Sequence, residues 1–191
     1  MGQYYTPTVL RQGEFKVFNA YNYHNGVKLM EHSYIHNNFM NAVMNYIFEK
    51  PTRLWWIGDY SKKEDFKIDD GKKAFEFYRE LLEREDITEY EVDIENPPEK
   101  GRYLINHNKK VYIDLQEYML EAKTARESEP EFECRIHPLS VLTAVGNGRG
   151  GGDYEGINMH LVGTWAGDIL ESRDDMPYKY SKLLNMEFQE E

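Results

Sequence analysis

The chain has 191 residues, of which 40% are hydrophobic and 30% are charged, and its formal net charge is −11. This composition excludes the disordered class, and the negative charge disfavours direct contact with nucleic acid phosphates. The only cysteine, Cys134, excludes an internal disulfide framework and a multi-cysteine zinc site, and no apolar run reaches the roughly 20 residues that a membrane span needs. We therefore expect a cytoplasmic protein that contacts no membrane.

The first 51 residues predict an antiparallel meander and then a helix. Strand-like composition marks "QYYTPTVL" and "EFKVFNAYNY", and Asn25-Gly26 predicts a two-residue hairpin turn before "VKLMEHSY". Asn37 or Asn38 is expected to cap a helix that ends before Pro51. The apolar residues of that helix, Phe39, Val43, Tyr46 and Ile47, recur at helical spacing.

The next segments predict a buried strand and a second helix. In "RLWWIGDY" the adjacent Trp55 and Trp56 are expected to point to opposite faces of the sheet, both buried between sheet and helix. Asp69 or Asp70 is expected to cap the second helix. Its predicted inner face consists of Ala74, Phe75, Tyr78, Leu81 and Leu82.

The middle of the chain predicts an acidic segment, a hairpin and a third helix. Residues 86–101 are acidic and contain Pro97-Pro98, so we expect a short edge strand and an exposed, mobile loop. "GRYLINHNKKVYI" predicts a hairpin that turns at residues 106–109. Asp114 and Glu117 have the spacing of a capping box for a helix that carries Leu115, Tyr118, Met119 and Ala122.

The last third contains two apolar runs, "FECRIHPLSVLTAV" and "INMHLVGTWAGDIL", which are typical of strands. They are joined by a glycine-rich loop at residues 146–156. The resulting expectation is an α+β fold: a mainly antiparallel sheet with about three helices packed on it, in a single domain over residues 1–191.

The glycine loop, with the sequence "GNGRGGGDY" at its start, formally satisfies the G-x-G-x-x-G dinucleotide fingerprint. No helix pattern follows it, and the Gly-Lys-Ser/Thr ending of a P-loop is absent. What remains is a loop in which the planar fork of Arg149 could hold a carboxylate or a phosphate. We predict that Arg149, Asp153 and Tyr154 contact a ligand or partner; a plain connection is the alternative.

The acidic charge is concentrated in the middle of the chain. From Glu80 to Glu133 there are 16 acidic and 7 basic residues, whereas residues 1–50 contain 3 acidic and 4 basic residues. Such a region is able to meet a basic protein surface with fast, salt-sensitive association. The predicted contact residues are Glu89, Glu91, Asp93 and Glu95, with a solvated, solubilising face as the alternative.

Other candidate sites are weaker. Asp59, Asp153 and Asp168 each follow a glycine, but the sequence does not show whether the three carboxylates converge. His32 and His36 have helical metal-ligand spacing in a segment that is not predicted to be helical. Cys134 and His137 would face opposite sides of an extended strand, which argues against a thiolate-imidazole pair. We predict no metal site and no cofactor.

Several stretches carry a resemblance to known proteins: "MGQYY", "GVKLMEHSY", "WIGDY", "INHNKKVYIDL", "IHPLSVLTAVGNGRGGGDY" and "VGTWAGDIL". Over most of its length the chain resembles an uncharacterised group of short proteins from gut Firmicutes and from their phages and mobile elements. The resemblance implies a setting, the cytoplasm of a bacterial host cell, rather than a mechanism. By analogy, small acidic proteins of such elements are often inhibitors of host defence, anti-CRISPR proteins among them.

Two functions follow as hypotheses. The first is a non-enzymatic protein that binds and inhibits a larger, basic host protein, specifically a nucleic-acid-handling defence enzyme. The second is a small enzyme acting on a nucleotide or other anionic substrate, in which Arg149 holds the anion and Asp59, Asp153, Asp168 or His137 supplies metal ligation or acid/base chemistry. The oligomeric state is left open, and a structural component that assembles with itself is a third alternative.

Overall fold

A computed structural model describes residues 1–83, 96–119, 135–184 and 187–189. These residues form an α+β fold built on a single sheet, as predicted. The strands are β1 (Tyr5–Arg11), β2 (Glu14–Val17), β3 (Thr52–Gly58), β4 (Tyr103–Asn106), β5 (Val111–Asp114), β6 (Ala144–Val145), β7 (Ile169–Arg173) and β8 (Ser181–Lys182). Most strand pairs are antiparallel; β3–β6 and β5–β8 are parallel.

The strand order is β2-β1-β3-β7-β4-β5-β8, and β6 pairs with the second half of β3. The helices are α1 (Leu29–His32), α2 (Asn38–Tyr46), α3 (Asp69–Glu83), α4 (described over 115–119) and α5 (Pro138–Thr143). The described residues therefore contain five helices, and the prediction of about three was wrong. None of these helices is long and apolar enough to span a membrane.

The hairpins and helix caps that depend on residues close together in the sequence form as predicted. The β1–β2 and β4–β5 hairpins form as expected. Asn37 caps α2, because its side-chain oxygen accepts hydrogen bonds from Phe39 N at 2.8 Å and Met40 N at 3.4 Å. Asp114 caps α4 in the same way, accepting from Gln116 N at 3.1 Å.

The hairpin predicted at Asn25-Gly26 is absent from the described residues. The chain instead enters α1, whose start is capped by Glu31, the acceptor of a 3.1 Å hydrogen bond from Lys28 N. Leu29 and His32 on α1 are completely buried. Burial of these two side chains on a helical turn outweighs the local turn signal of the Asn-Gly pair.

The two apolar runs of the last third are not the long strands that were predicted. Pro138–Thr143 forms α5, since the His137 side chain caps it and Pro138 suits the first helical turn. In the second run only Ile169 and Leu170 belong to a strand. Positive φ angles at Asn158, Gly163 and Gly167 turn the backbone before it reaches β7.

The sheet is covered on both faces. Leu54 and Trp56 of β3 pack into the main core, together with Phe39 and Val43 of α2. Trp55 and Ile57 point to the other face, where Ala74 and Tyr78 of α3 cover them. Both tryptophans are buried, as predicted. Leu82, predicted to lie on the inner face of α3, is 49% exposed.

At Gly167 a turn of the backbone passes close to Trp55, on the face of the sheet that α3 covers. Its φ is 79°, and a Cβ atom there would lie 2.6 Å from Nε1 of Trp55. We expect Gly167→Ala to lower the free energy of unfolding by about 2 to 3 kcal/mol, through backbone strain plus this clash. Gly148→Ala is the matched control: its φ is 90°, but nothing lies within 4 Å of the added atom, so strain alone costs about 1 kcal/mol. Urea unfolding of both variants measures the difference; equal losses would contradict the clash.

Candidate functional site

The start of the glycine loop wraps around a carboxylate from its own chain. Oδ2 of Asp153 accepts hydrogen bonds from three successive backbone amides, at 2.6 Å from Gly148 N, 2.7 Å from Arg149 N and 3.0 Å from Gly150 N. The side chain of Asp153 is buried. Successive amides that converge on one point form the kind of concavity that binds anions. Here the bound anion is the Asp153 carboxylate itself.

The other oxygen of the same carboxylate ties the loop to β1. Oδ1 of Asp153 accepts a 2.8 Å hydrogen bond from the hydroxyl of Tyr5. Burial, and then the charge of Asp153, raise the pKa of Tyr5, so its hydroxyl remains a donor. Gln3 adds a second link, since its Nε2 donates to the carbonyl oxygen of Gly146 at 2.9 Å. The side chains of Gln3 and Tyr5, near the start of the sequence, therefore hold the loop closed.

The guanidinium group of Arg149 makes its hydrogen bonds to other residues of the same chain. Nη1 and Nη2 each donate to a carboxylate oxygen of Asp65 at 2.6 Å, and Nη1 also donates to the carbonyl oxygen of Tyr60 at 2.8 Å. Burial opposes ionisation of Asp65, but the hydrogen bonds from Arg149 and Lys62 N hold its pKa below the ordinary value. The Arg149 side chain is 34% exposed.

Tyr154, the third predicted contact residue of the loop, lies in the interior. Its ring is fully buried and meets Phe188 edge-on, with the ring centroids 5.5 Å apart. Its hydroxyl donates to the carbonyl oxygen of Ile157 at 2.5 Å and accepts from Gln189 N at 3.2 Å. Of the three predicted contact residues, Arg149 alone has a substantially exposed side chain.

The predicted acidic contact residues Glu89, Glu91, Asp93 and Glu95 lie outside the described residues. The same segment is described from Asn96 onward, where it lies along α2. Asn38 Nδ2 donates to Oδ1 of Asn96 at 2.9 Å, and Asn45 Nδ2 donates to the carbonyl oxygen of Pro98 at 2.8 Å. The carboxylate of Glu99 lies 2.9 Å from Nδ1 of His36.

The three aspartates that follow a glycine do not form a metal centre. Asp59 accepts from Tyr4 N at 3.0 Å, whereas Asp168 accepts from Asn106 Nδ2 at 2.8 Å and pairs with Lys109 at 3.0 Å. Across the described part of the chain, no three His, Cys, Asp or Glu side chains are grouped as metal ligands.

The histidine pair predicted as a weak metal candidate is also separated. His32 is buried in the main core, where its Nε2 accepts from Trp56 Nε1 at 2.9 Å. The side chain of His36 is 59% exposed. Cys134 lies outside the described residues, so its relation to His137 stays untested.

A cavity of about 400 Å³ lies between the start of α2, α4, α5 and residues 99–102. We call it the His137 pocket. Its lining consists of Ile35, His36, Asn41, Met44, Glu99, Lys100, Gly101, Arg102, Leu115, Gln116, Met119, His137 and Asp174. The volume falls in the range of about 300 to 1,000 Å³ that is typical of ligand sites.

His137 is the most buried polar side chain of this pocket, with 5% of its surface exposed. Nδ1 accepts a 3.1 Å hydrogen bond from Leu139 N, so the ring proton of the neutral imidazole is on Nε2. Burial, and then the nearby His36, lower the pKa of His137 to about 3. The Nε2–H group has no hydrogen-bond partner among the described residues.

The rest of the lining combines polar and apolar groups. The side-chain amides of Asn41 and Gln116 make no hydrogen bond to any other part of the described chain. The apolar part of the wall consists of Ile35, Met44, Leu115 and Met119. An apolar cavity with a few unpaired polar groups is the usual form of a binding site.

Sequence reasoning considered His137 as a partner of Cys134 and as a metal ligand or acid/base group of the enzyme hypothesis, and it did not find this pocket. One local signal was present: a histidine directly before Pro138 at the start of a buried run has the pattern of a helix cap followed by an N1 proline. The other lining residues come from distant parts of the chain, and no local pattern joins them.

Comparison with known proteins adds no relative. No family model matches the chain, no curated protein matches it, and no solved structure matches it. The fold and site therefore define an α+β protein with an internally closed glycine loop and a histidine-lined pocket. The resemblance to short proteins of phages and mobile elements stays a prediction.

Proposed function

We propose that the protein binds and inhibits a larger, more basic host protein, a nucleic-acid-handling defence enzyme of the kind that anti-CRISPR proteins target. The observation that carries the proposal is where the acidic stretches join the described fold. Residues 84–95 contain six acidic and one basic side chain, and residues 120–134 contain five acidic and two basic. Together they hold a net charge of −8 out of −11.

Three of the four described residues that adjoin the two acidic stretches lie at or beside the His137 pocket; the fourth, Glu83, ends α3 on the other face of the sheet. Residues 84–95 lead into Asn96, three residues before Glu99 of the lining, and residues 120–134 directly follow Met119, another lining residue. Arg135 returns beside Ile35, whose amide donates to its carbonyl oxygen at 2.8 Å. A net charge of −8 concentrated in two stretches of the chain favours encounter with a basic protein surface.

The rival function, an enzyme for a nucleotide or other anion, draws less support from the same contacts. The three amides of the glycine loop, which could have bound a phosphate, already bind Asp153. The fork of Arg149 is engaged with Asp65. A ligand would have to displace both carboxylates before the loop held an external anion.

Charge reversal tests the proposal. We expect the triple variant Glu89→Lys, Glu91→Lys and Asp93→Lys to slow association with the basic partner by about tenfold at low salt, and to have little effect at high salt, where the charges are screened. The measurement is stopped-flow association with the partner purified from the host by low-salt affinity capture.

The matched control changes the net charge by the same amount elsewhere. Glu14, Glu64 and Glu80 are exposed and lie on β2, before α3 and on α3. Their replacement by lysine should slow association much less. If the two triple variants slow association equally, the effect depends on net charge and not on the acidic segment. Association that does not depend on salt concentration would overturn the proposal. Inhibition is checked separately, as loss of nucleic acid binding by the captured enzyme.

A further inference from the structure

We propose that an aromatic groove beside α3 holds the cationic end of one arginine or lysine side chain of the partner. The groove has a volume of about 280 Å³ and lies between the start of β1, the end of β2 and the last turns of α3. We call it the Tyr21 groove. The inference rests on the proposed function and names the chemical group of the basic partner that this surface recognises. The argument uses four aromatic residues and one carboxylate of its lining: Tyr4, Phe18, Tyr21, Tyr78 and Asp59.

Asp59 gives the groove a negative charge that no cation of the described residues neutralises. Its Oδ1 accepts a 3.0 Å hydrogen bond from Tyr4 N, and it forms no ion pair within the described part of the chain. Burial, and then the charge of Asp59, raise the pKa of Tyr78 to about 12, while the exposed Arg79 has a smaller, opposite effect on that pKa. The carboxylate therefore acts on the groove itself.

The aromatic residues supply the second element of a cation site. Tyr4 is 50% exposed and Tyr21 is 65% exposed, whereas Phe18 and Tyr78 are almost fully buried and form the inner part of the lining. The face of an aromatic ring attracts a cation, and the attraction grows where water is partly excluded. A guanidinium group is able to stack on such a ring and to pair with a carboxylate at the same time.

The chain already makes this kind of contact elsewhere. The guanidinium groups of Arg11 and Arg135 each lie 4.2 Å from the centre of a tyrosine ring. Among the described residues, no cation lies over Tyr4 or Tyr21, and no lysine or arginine lines the groove. The cation that these rings and Asp59 would hold must come from another molecule.

Charge and size exclude the other occupants. An anion would meet the carboxylate of Asp59 with no lining cation to offset the repulsion. An apolar side chain would cover the same carboxylate without neutralising it, which costs free energy. The volume lies just below the range of about 300 to 1,000 Å³ that is typical of small-molecule sites, so it suits a single side chain of a basic protein.

Three end-capped pentapeptides test the recognition by NMR titration of the full chain: GGRGG, the same peptide with citrulline in place of arginine, and GGEGG. Citrulline has nearly the shape of arginine but carries no charge. We expect GGRGG to bind about tenfold more tightly than the citrulline peptide, because only arginine gains the cation–π and ionic contacts. GGEGG should bind most weakly. Equal affinity of the arginine and citrulline peptides would overturn the proposal, and so would the absence of shifts at the groove residues.

Choline, titrated in parallel, separates a protein side chain from a small cation. We expect choline to bind more weakly than GGRGG, because its quaternary ammonium group has no N–H to donate to Asp59. Tighter binding of choline would mean that the groove serves a small quaternary ammonium compound, and the assignment to a partner side chain would be wrong.

Two substitutions remove the two elements of the site separately. Asp59→Asn keeps an acceptor for Tyr4 N but removes the charge, so the preference for arginine over citrulline should be lost. Tyr21→Leu keeps an exposed apolar side chain but removes the ring, and GGRGG should bind about fivefold more weakly. Asp175→Asn and Tyr178→Leu repeat both changes at exposed positions outside the groove and should have no effect. A preference for arginine that survives Asp59→Asn would overturn the site.

The captured partner separates this inference from the proposed function. We expect Asp59→Asn to raise the dissociation rate of the partner about tenfold, since short-range contacts act mainly on dissociation. If Asp59→Asn and Tyr21→Leu leave partner affinity unchanged while the acidic triple variant slows association, the groove contact is wrong and the acidic-surface proposal stands. If both groove variants weaken GGRGG and partner binding while the acidic triple variant has no effect, the groove contact stands and the acidic-surface proposal fails.

Discussion

Replacing Asp153 by alanine is expected to lower the free energy of unfolding by about 3 kcal/mol, since hydrogen bonds to a buried charged group are worth more than ordinary ones and their loss leaves polar groups unpaired. The affected donors are the amides of Gly148, Arg149 and Gly150 and the hydroxyl of Tyr5. Asp153→Asn keeps one acceptor oxygen but loses the charge, so we expect an intermediate loss.

A surface carboxylate with equally short contacts is the control. Asp65 accepts two 2.6 Å hydrogen bonds from Arg149, but both side chains are partly exposed, so Asp65→Ala should cost about 1 kcal/mol or less. Urea unfolding followed by circular dichroism gives both values. Amide hydrogen exchange at residues 148–150 should accelerate in Asp153→Ala alone. If the two variants lose equal stability, the hydrogen bonds to the buried Asp153 carboxylate stabilise the fold no more than the partly exposed Asp65–Arg149 pair does.

Some of this structure could be predicted from the sequence, because the signals are local. The cap at Asn37 and the hairpin turn of β4–β5 depend on residues a few positions apart, and they form as predicted. The run before the glycine loop was predicted as a strand, because a short apolar run has the same pattern in a buried strand and a buried helix. His137 and Pro138 make it a helix.

The site depends on distant pairs. Whether the glycine loop is open or closed is decided by Tyr5 and Asp153, which are 148 positions apart. The composition of the loop predicted that it binds an anion, but it could not show that Asp153 supplies that anion. The His137 pocket likewise assembles from α2, α4, α5 and residues 99–102, and no spacing rule relates those segments.

The stability of the protein is expected to fall by about 4 kcal/mol between pH 7 and pH 5, about 2 kcal/mol for each of two buried histidines. Burial lowers the pKa of His32 to about 4 and that of His137 to about 3. Burial keeps His32 neutral, although the 2.9 Å hydrogen bond from its Nδ1–H to the carbonyl oxygen of Gly26 favours the charged form. Its Nε2 accepts from Trp56 Nε1. Protonation of Nε2 would set two donors against each other.

The sign follows from proton binding. Below about pH 6.5 the unfolded chain protonates both imidazoles, whereas the folded chain does not until the pH approaches 4. The unfolded state therefore gains protons and stability is lost as the pH falls. Urea midpoints at pH 7, 6 and 5 measure the slope. His137→Asn, which keeps the helix cap, should remove about half of it, and the exposed His160→Asn should leave it unchanged. A slope that His137→Asn does not reduce would mean that His137 takes up its proton as readily in the folded as in the unfolded chain, and the neutral donor of the pocket would then be wrong as well.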